Sequence, residues 1–384
     1  MATLILKASD FYTLTGQTTM SDITISDFKV QFETLLQTEA KVVIRDFNFI
    51  NLASNQKPWL DTGIDLKQGD CLTSIATGQT QFIGLPITLE PNFQLWFRVG
   101  LESEIFRGTR DTNSFTVENS GRLYLASYFP GEWSTKTGDL ITPDAVYDMV
   151  TGDFSVLLIR WQNQALESLK QLAKHGDVAS LIACEIDRLQ SPILPPKDWA
   201  YHWFTGPSEV YQTNQTDEKH TAICCHTHNN GGILQKSVSL SFSPNTRLRW
   251  AWKMDKLPSA VREDSLPTHD YLSIAVEFEN GQDLSYYWSA ELAPETAYRC
   301  PIPTWHDRET HLVIRSGAEG LGAWFNEERD VYADYAATIG GEMPLQIVKV
   351  WFIAVSIFQR QEGRCQYADI SFLSNKQIIP VFLD

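Results

Sequence analysis

The segment YLSIAVEF, residues 271–278, constrains the fold most strongly, because its apolar and polar residues alternate with period two. Successive side chains of a β-strand point to opposite faces, so the apolar residues form one continuous face that must be buried. That face consists of Leu272, Ile274, Val276 and Phe278. The opposite face carries Tyr271, Ser273, Ala275 and Glu277. The segment predicts a β-sheet whose apolar side packs on a second layer.

Residues 1–160 repeat this pattern in shorter pieces. In KVVIRDFNFINL, Val43, Phe47 and Phe49 share one face. Turn sequences separate such pieces at QGD (68–70), ATGQ (76–79), NSG (119–121) and TGD (151–153). Short strands at this spacing are typical of a β-sandwich or a β-barrel.

The pattern changes between the two β-rich blocks. Helical spacing joins Leu166, Leu169 and Leu172, and a second helical run follows the break at His175–Gly176. The prolines of SPILPPKDW then end the helix and suit a stiff connector. We therefore predict a mainly β protein with two β-sandwich domains, residues 1–162 and 200–384. A helical, Pro-rich linker, residues 163–199, joins them.

Composition limits the function classes. The 384 residues suit two domains, and the net charge of −16, without a run of basic residues, argues against a nucleic-acid binder and an anionic membrane surface. The N-terminal apolar stretch of about four residues is too short for a secretory signal, and no segment is long enough to span a membrane. We expect a soluble cytoplasmic protein. Its six cysteines lack a CxxC pair, so we expect reduced thiols.

A motif in the first block resembles a known family. The segment PWLDTGIDLKQGDCLTSIATGQ follows the opening pattern of the galactophilic bacterial lectins, W-x-D-T-G and then G-D and a strand ending in G. Residues 40–162 are similar to that family, and the resemblance implies a jelly-roll-like sandwich. The matching residues are Trp59, Asp61, Thr62, Gly63, Gly69, Asp70, Gly78, Gly121, Leu123, Tyr124, Gly152, Phe154 and Val156.

The resemblance also implies two pairs of calcium ligands, an Asn-Asp pair and an Asp-Asn pair. This chain has Ser127-Tyr128 and Met149-Val150 at those places. Calcium requires six or more oxygen ligands, which Met and Val side chains do not supply. We therefore expect no calcium and a structural or docking role for this domain.

Residues 205–375 resemble a bacterial β-sandwich family of unknown function. The resemblance rests on the W-x-W strand of LRWAWKMDKLP and on the W-x-x-E-x-R-D-V segment of WFNEERDVYADY. It implies a jelly-roll-like sandwich and supplies no catalytic residue.

Aromatic residues recur on the predicted strands of this second block. Trp250 and Trp252 share a face with Leu248, and Tyr286 shares a face with Trp288. Such rings on a concave sheet face, with Tyr271 and Glu277, would line a binding groove. Burial of Trp250 and Trp252 in the core is the equal alternative.

The run AICCHTHNNGG, residues 222–232, places Cys224, His226 and His228 on one face of a predicted strand. Three readings stay open: a metal site, a polar pair at the mouth of a cleft, and a solvated strand end. A zinc site would need a ligand from elsewhere, and the remaining histidines are scattered without a ligand pattern. We favour the cleft, and we expect no metal and no cofactor.

These observations predict an intracellular small-molecule-binding protein, and more specifically a cofactor-free enzyme of lyase, cyclase or hydrolase type. Its ligand would be a sugar-like or aromatic specialised metabolite, and a homo-oligomer stays open. The alternatives are a non-catalytic carbohydrate-binding protein and a scaffold. The predicted acid–base residues are Glu277, His226, His228 and Asp334. The predicted ligand-binding residues are Trp250, Trp252, Tyr271, Trp288 and Tyr286.

Overall fold

The computed structural model describes residues 23–84, 87–129, 133–215 and 221–383. The N-terminal segment that was considered as a signal lies outside these ranges. The chain divides into two compact units: the first ends at Ile193 and also contains Trp203–Ser208, and the second comprises Leu194–His202 and the chain from Glu209 onwards. Within the described ranges, no helix has the length and apolar character needed to cross a bilayer.

The first unit contains two antiparallel sheets. One has the strand order β1-β9-β3-β4 with β7 beside β3, and the other has the order β2-β8-β5-β6. Apolar residues such as Leu72, Phe97, Leu125 and Val156 pack together between them. The strands are β1 (Ile44–Ala53), β2 (Leu60–Leu66), β3 (Cys71–Phe82), β4 (Thr88–Leu89), β5 (Leu95–Val99), β6 (Phe106–Arg107), β7 (Thr112–Thr116), β8 (Gly121–Ser127) and β9 (Val150–Trp161).

Helices pack on the first of these sheets. They are α1 (Ile25–Leu36), α4 (Ala165–Ala173) and α5 (Leu181–Gln190); the short helices α2 (Pro91–Gln94) and α3 (Asp144–Tyr147) and a 3₁₀ turn at Glu39–Val43 lie between strands. Phe32 of α1, Leu172 of α4 and Ile182 of α5 join Ile75 and Leu157 of the sheet in one apolar cluster. The helices that the sequence assigns to the linker thus belong to the core of the first unit.

Two glycines of the lectin-like pattern are required by the close approach of β3 and β9. Gly78 has φ +107°, and a Cβ there would lie 2.1 Å from the carbonyl oxygen of Asp153. Gly152 has φ +103°, and a Cβ there would lie 2.1 Å from the carbonyl oxygen of Gln79. A side chain at either position would separate the paired strands, which explains why the pattern has glycine there.

The residue Tyr128, at one of the expected calcium positions, has a packing role. It is buried in an aromatic cluster with Trp96, Trp133 and Tyr147, and its hydroxyl contacts the hydroxyl of Thr142. Tyr128 is therefore a packing residue of the first unit.

The second unit is a sandwich of a seven-stranded and a six-stranded sheet. The strand orders are β10-β13-β20-β15-β16-β18-β17 and β11-β12-β21-β14-β19, with β22 beside β21. The strands are β10 (Ala200–Tyr201), β11 (Tyr211–Gln215), β12 (Thr221–His228), β13 (Gly231–Ser241), β14 (Arg247–Lys256), β15 (Tyr271–Phe278), β16 (Asp283–Ser289), β17 (Ala297–Arg299), β18 (Glu309–Ser316), β19 (Trp324–Asp330), β20 (Gln346–Val355), β21 (Glu362–Ser374) and β22 (Gln377–Phe382). A 3₁₀ turn (Leu266–Thr268) and helix α6 (Val331–Thr338) lie in the connections.

The predicted mainly β fold class is confirmed, and so is the apolar face of β15. The four residues Leu272, Ile274, Val276 and Phe278 lie in the core between the two sheets. Strand β14 supplies the facing layer through Leu248, Trp250, Trp252 and Met254. The outward sides of the two sheets therefore lie on opposite sides of this core.

Candidate functional site

Most of the aromatic residues predicted to line a groove are core residues instead. Trp250 and Trp252 are at most 1 % exposed, and Tyr286 and Trp288 are buried with them. Trp250 stacks on Tyr286 with ring centroids 5.6 Å apart. Trp250 and Trp252 lie on the inward side of β14 together with Leu248. These two rings therefore occupy the core position that the sequence offered as the alternative.

The two histidines of the CCHTH run lie on the outward side of the six-stranded sheet. The Nε2 atom of His226 is 2.8 Å from Oε1 of Glu362. Burial lowers the pKa of His226, and the Glu362 carboxylate acts against that change. Burial alone would raise the pKa of Glu362, but hydrogen bonds from Lys256 and Arg364 lower it to about 2. His226 is therefore part of an ion-pair cluster, and His228 lies opposite Glu362 in the same strand pairing.

The predicted acid–base residues do not meet at one place. Glu277 points outward from the seven-stranded sheet, as predicted, and accepts a hydrogen bond of 2.8 Å from Lys349. His226 is on the other sheet, across the core. Asp334 lies on α6, where Arg329 binds it at 2.7 and 2.9 Å and the hydroxyl of Tyr286 donates to it. The combination of Glu277 with His226 in one cleft is therefore not what the fold builds.

The outward side of the seven-stranded sheet is polar and nevertheless buried, and we call it the polar face. Its residues Tyr271, Ser273, Asp283, Ser285, Tyr287, Glu309 and His311 are all buried. Loop residues pack over it: Glu263 accepts hydrogen bonds from Ser289 and from the backbone of Ala290. A buried polar surface of this size is costly unless its groups find partners.

One end of the polar face is bounded by two tryptophans. The ring centroids of Trp305 and Trp351 are 6.2 Å apart at an interplanar angle of 81°. The Arg308 guanidinium lies over both rings, 4.8 and 5.5 Å from their centroids. His202 packs edge-on against Trp351 at 5.2 Å, and burial lowers its pKa to about 3, with a further contribution from Lys349 and Arg308.

Asp283 lies next to Arg308, the residue that covers these rings. Its carboxylate is fully buried, and neither oxygen accepts a hydrogen bond from the residues that the structure describes. The closest cation is Arg308, whose Nε is 3.5 Å from Oδ2, a distance too long for a good hydrogen bond. Burial raises the pKa of Asp283 well above its usual range, and the Glu309 carboxylate raises it further.

Two other residues of the seven-stranded sheet are in the same situation, on strands two and three places from that of Asp283. The indole Nε1 of Trp351 and the Oε1 of Gln235 are buried and have no hydrogen-bond partner in the described part of the chain. The two residues are paired across β13 and β20. The outward side of the sheet thus carries both acceptors and a donor without described partners.

A second group on the polar face has ligand chemistry. His269, Cys300 and His311 are buried, and their ligand atoms lie within 4.8 Å of one another. Sequence reasoning missed this group because the three residues come from separate segments with no motif spacing. The signal present in the sequence is the alternation of polar and apolar residues in DLSYY and ETHLV. This alternation places several polar side chains on the outward side of two neighbouring strands.

Comparisons with known proteins give one family match and several distant structural matches. A family model described as "Protein of unknown function (DUF3047)" matches residues 197–371. No curated protein matches the chain. Among solved structures, the EclA N-terminal domain, a PllA-like lectin, is 20 % identical, with 29 % of this chain and 94 % of that chain covered at a TM-score of 0.23.

Two further solved structures match larger parts of the chain. TmCBM61 in complex with β-1,4-galactotriose is 9 % identical and covers 46 % of this chain and 89 % of its own at a TM-score of 0.23. A mutant of ENZbleach xylanase is 10 % identical and covers 50 % of this chain and 87 % of its own at a TM-score of 0.25. The TM-scores of all three structures are below 0.5, so these matches carry no argument about the fold or the chemistry of this chain.

Proposed function

We propose that this chain is a carbohydrate-binding protein whose ligand binds at the tryptophan end of the polar face. The observation that carries the proposal is the buried Asp283 carboxylate without a hydrogen-bond partner in the described structure. Trp351, two strands away in the same sheet, has an unpaired indole N–H. Leaving a buried polar group unpaired costs about 1–3 kcal/mol. A protein bears that cost most readily where a ligand supplies the missing partner.

The chemistry of the surrounding groups fits a hydroxylated ring. Sugar hydroxyls both donate and accept hydrogen bonds, so they match each of these groups: an aspartate, an indole N–H and the amide oxygen of Gln235. A sugar ring also presents C–H groups that pack on flat aromatic faces such as Trp305 and Trp351. The low identity of the neighbours adds nothing here, but the lectin-like pattern of the first unit is compatible with the same ligand class.

Arg308 is the group that a ligand would displace. It covers both tryptophan rings, its side chain is 31 % exposed, and its contact with Asp283 is long. A cation–π contact at a partly exposed site is worth about 0.5–1 kcal/mol. Arg308 is therefore held weakly and can move outward, where it and the partly exposed Lys349 would bind a hydroxyl or an acidic group of the ligand.

The test is a titration of the full chain with sugars, in which binding is measured by tryptophan fluorescence and by calorimetry. The panel contains neutral galactose- and xylose-based oligosaccharides and the matching uronic acids. We expect saturable binding of at least one sugar, and Asp283→Asn should weaken it at least about tenfold, because one paired polar group is worth about 1.4 kcal/mol or more. The matched control is Asp369→Asn, an exposed aspartate on β21.

A stability measurement decides the proposal even if the panel lacks the right sugar. Removing a carboxylate that only holds the fold together would lower the free energy of unfolding by about 3 kcal/mol or more. Removing one that has only the long contact with Arg308 among the described residues should leave the free energy of unfolding unchanged or raise it. A clear loss of stability in Asp283→Asn, without any sugar binding by the parent chain, would refute the proposed site.

Acid–base hydrolysis at the same place is the second candidate function. Asp283 and Glu277 are direct partners across β15 and β16. Burial raises the pKa of Asp283, while Lys349 donates a hydrogen bond of 2.8 Å to Glu277. A pair of carboxyl groups in different surroundings is the arrangement that glycoside hydrolysis uses. Turnover of a bound sugar that disappears in Glu277→Gln, with binding retained, would favour this candidate; binding without turnover favours the first.

A further inference from the structure

The second cluster of the polar face has the arrangement of a metal-binding site. Nε2 of His269 and Sγ of Cys300 are 3.4 Å apart. All three ligand atoms of His269, Cys300 and His311 lie within 4.8 Å of one another. The ligand atoms of a tetrahedral zinc ion, at bond lengths of about 2.0–2.3 Å, are about 3.3–3.8 Å apart. The observed spacing needs only small side-chain movements to enclose one ion.

The orientation of His269 leaves the required nitrogen available. Its Nδ1 is 2.7 Å from the backbone carbonyl oxygen of Glu263, so Nδ1–H donates and Nε2 keeps its lone pair. A backbone carbonyl that fixes a histidine in this way is the common outer-shell arrangement of zinc-binding histidines. The Nε2 lone pair is directed towards the Cys300 sulfur, so both atoms can bind the same metal ion.

His311 is the independent indication that a ligand belongs here. Its side chain is fully buried, Nδ1 has no hydrogen-bond partner within the described residues, and the contact of Nε2 with Oε1 of Glu309 is long, at 3.5 Å. The ring is packed edge-on by His269 at 4.8 Å and stacked on Tyr298 at 5.0 Å, so it is held in place. An unpaired buried imidazole is costly, whereas a metal ion would use its lone pair.

A carboxylate, Glu309, lies beside His311 and offers an oxygen as a fourth ligand. Its Oε1 is 3.5 Å from Nε2 of His311, and it accepts hydrogen bonds of 3.1 Å from the hydroxyls of Tyr271 and Ser285. With Cys300 as thiolate and Glu309 as carboxylate, the two negative charges balance one divalent cation. A neutral, fully ligated site is what a buried position without solvent access requires.

We propose that His269, Cys300, His311 and Glu309 bind one zinc ion in a closed, structural site. The mixture of imidazole, thiolate and carboxylate suits zinc, and burial of all four side chains leaves no position for a substrate. His269 precedes β15, Cys300 follows β17, and Glu309 and His311 belong to β18. The ion therefore fastens two covering loops to the sheet. This proposal does not rest on the carbohydrate proposal.

Metal analysis of the full chain tests the site. The protein, with reduced thiols, is stripped with a chelator and titrated with Zn²⁺ against a chromophoric chelator. We expect one equivalent of zinc per chain and a higher melting temperature with zinc, because an ion that binds the folded state stabilises it. Co²⁺ in place of zinc should give thiolate-to-cobalt absorption, which is absent from Cys300→Ser.

Matched variants separate this site from adventitious binding. Cys300→Ser and His311→Gln should lower zinc affinity by more than about 100-fold, beyond the 10–100-fold that loss of an outer-shell partner costs. His175→Gln, at an exposed histidine, and Cys184→Ser, at a half-buried thiol on α5, should bind like the parent chain. If a variant does not fold, the parent chain still decides. Less than about a tenth of an equivalent of zinc, or cobalt binding without thiolate absorption, would overturn the proposal.

Discussion

Acid should destabilise the second unit through His202, and the size of the effect follows from its burial. His202 is 6 % exposed, and burial lowers its pKa from 6.5 to about 3, with Lys349 and Arg308 adding to the effect. The unfolded chain therefore takes up a proton below about pH 6.5 that the folded chain refuses until about pH 3. The contribution to stability is complete above pH 6.5 and is lost as the pH falls.

The loss approaches 1.36 kcal/mol per pH unit. From pKa values of about 6.5 and about 3, the free energy of unfolding falls by about 2 kcal/mol at pH 5 and by about 3 kcal/mol at pH 4. Net stabilities are commonly 5–15 kcal/mol, so about 3 kcal/mol is a measurable share. Replacement by a ring that cannot be protonated, His202→Phe, should remove this pH-dependent loss of stability while keeping an edge-on contact with Trp351.

Guanidinium unfolding of the parent chain and of His202→Phe at pH 7, 6, 5 and 4 measures the effect. Because the two units can unfold separately, amide hydrogen exchange in β15 and β20 assigns the change to the second unit. Between pH 7 and pH 4, the free energy of unfolding of the parent chain should fall by about 3 kcal/mol more than that of His202→Phe. The exposed-histidine variant His175→Gln should follow the parent. Parallel pH curves for the parent and His202→Phe would show that His202 is protonated in the folded state and that the reasoning is wrong.

Two further predictions concern the cores of the two units, and both are measured by guanidinium unfolding. Glu185 is fully buried in the first unit and binds Arg188 at 2.6 Å, so Glu185→Gln should lower the free energy of unfolding by about 3–5 kcal/mol; a change as small as that of the exposed Glu167→Gln would contradict the buried ion pair. Trp250→Ala should lower it by about 3–5 kcal/mol in the second unit. Sugar affinity should be unaffected where the variant still folds, and a selective loss of binding would return Trp250 to a ligand-binding role.

Local sequence patterns were sufficient for the strands and for one face of each. The alternation in YLSIAVEF identified Leu272 and Phe278 as core residues, because period two is a property of one strand and needs no knowledge of its neighbours. The same alternation placed Trp250 and Trp252 on one side of β14 but did not distinguish core from groove. Large aromatic residues suit both environments, and only the position of the partner sheet separates them.

The helices between the two β-rich blocks show the same limit. The spacing of Leu169 and Leu172 predicts a helix. It does not show which domain the helix packs on, and the sequence analysis assigns it to a linker. In the structure these residues cover β3 and β9 of the first unit. An amphipathic helix carries no record of which sheet its apolar side will meet.

The candidate sites depended most on tertiary structure. His269 and Cys300 are 31 positions apart, and Asp283 meets Arg308 only because β16 and β18 are neighbours in the sheet. The chain sequence determined which residue types were present and on which side of a strand each one lies. Strand order and covering loops decided that polar side chains facing outward would be buried together, because burial is a property of contacts between distant segments and not of local spacing.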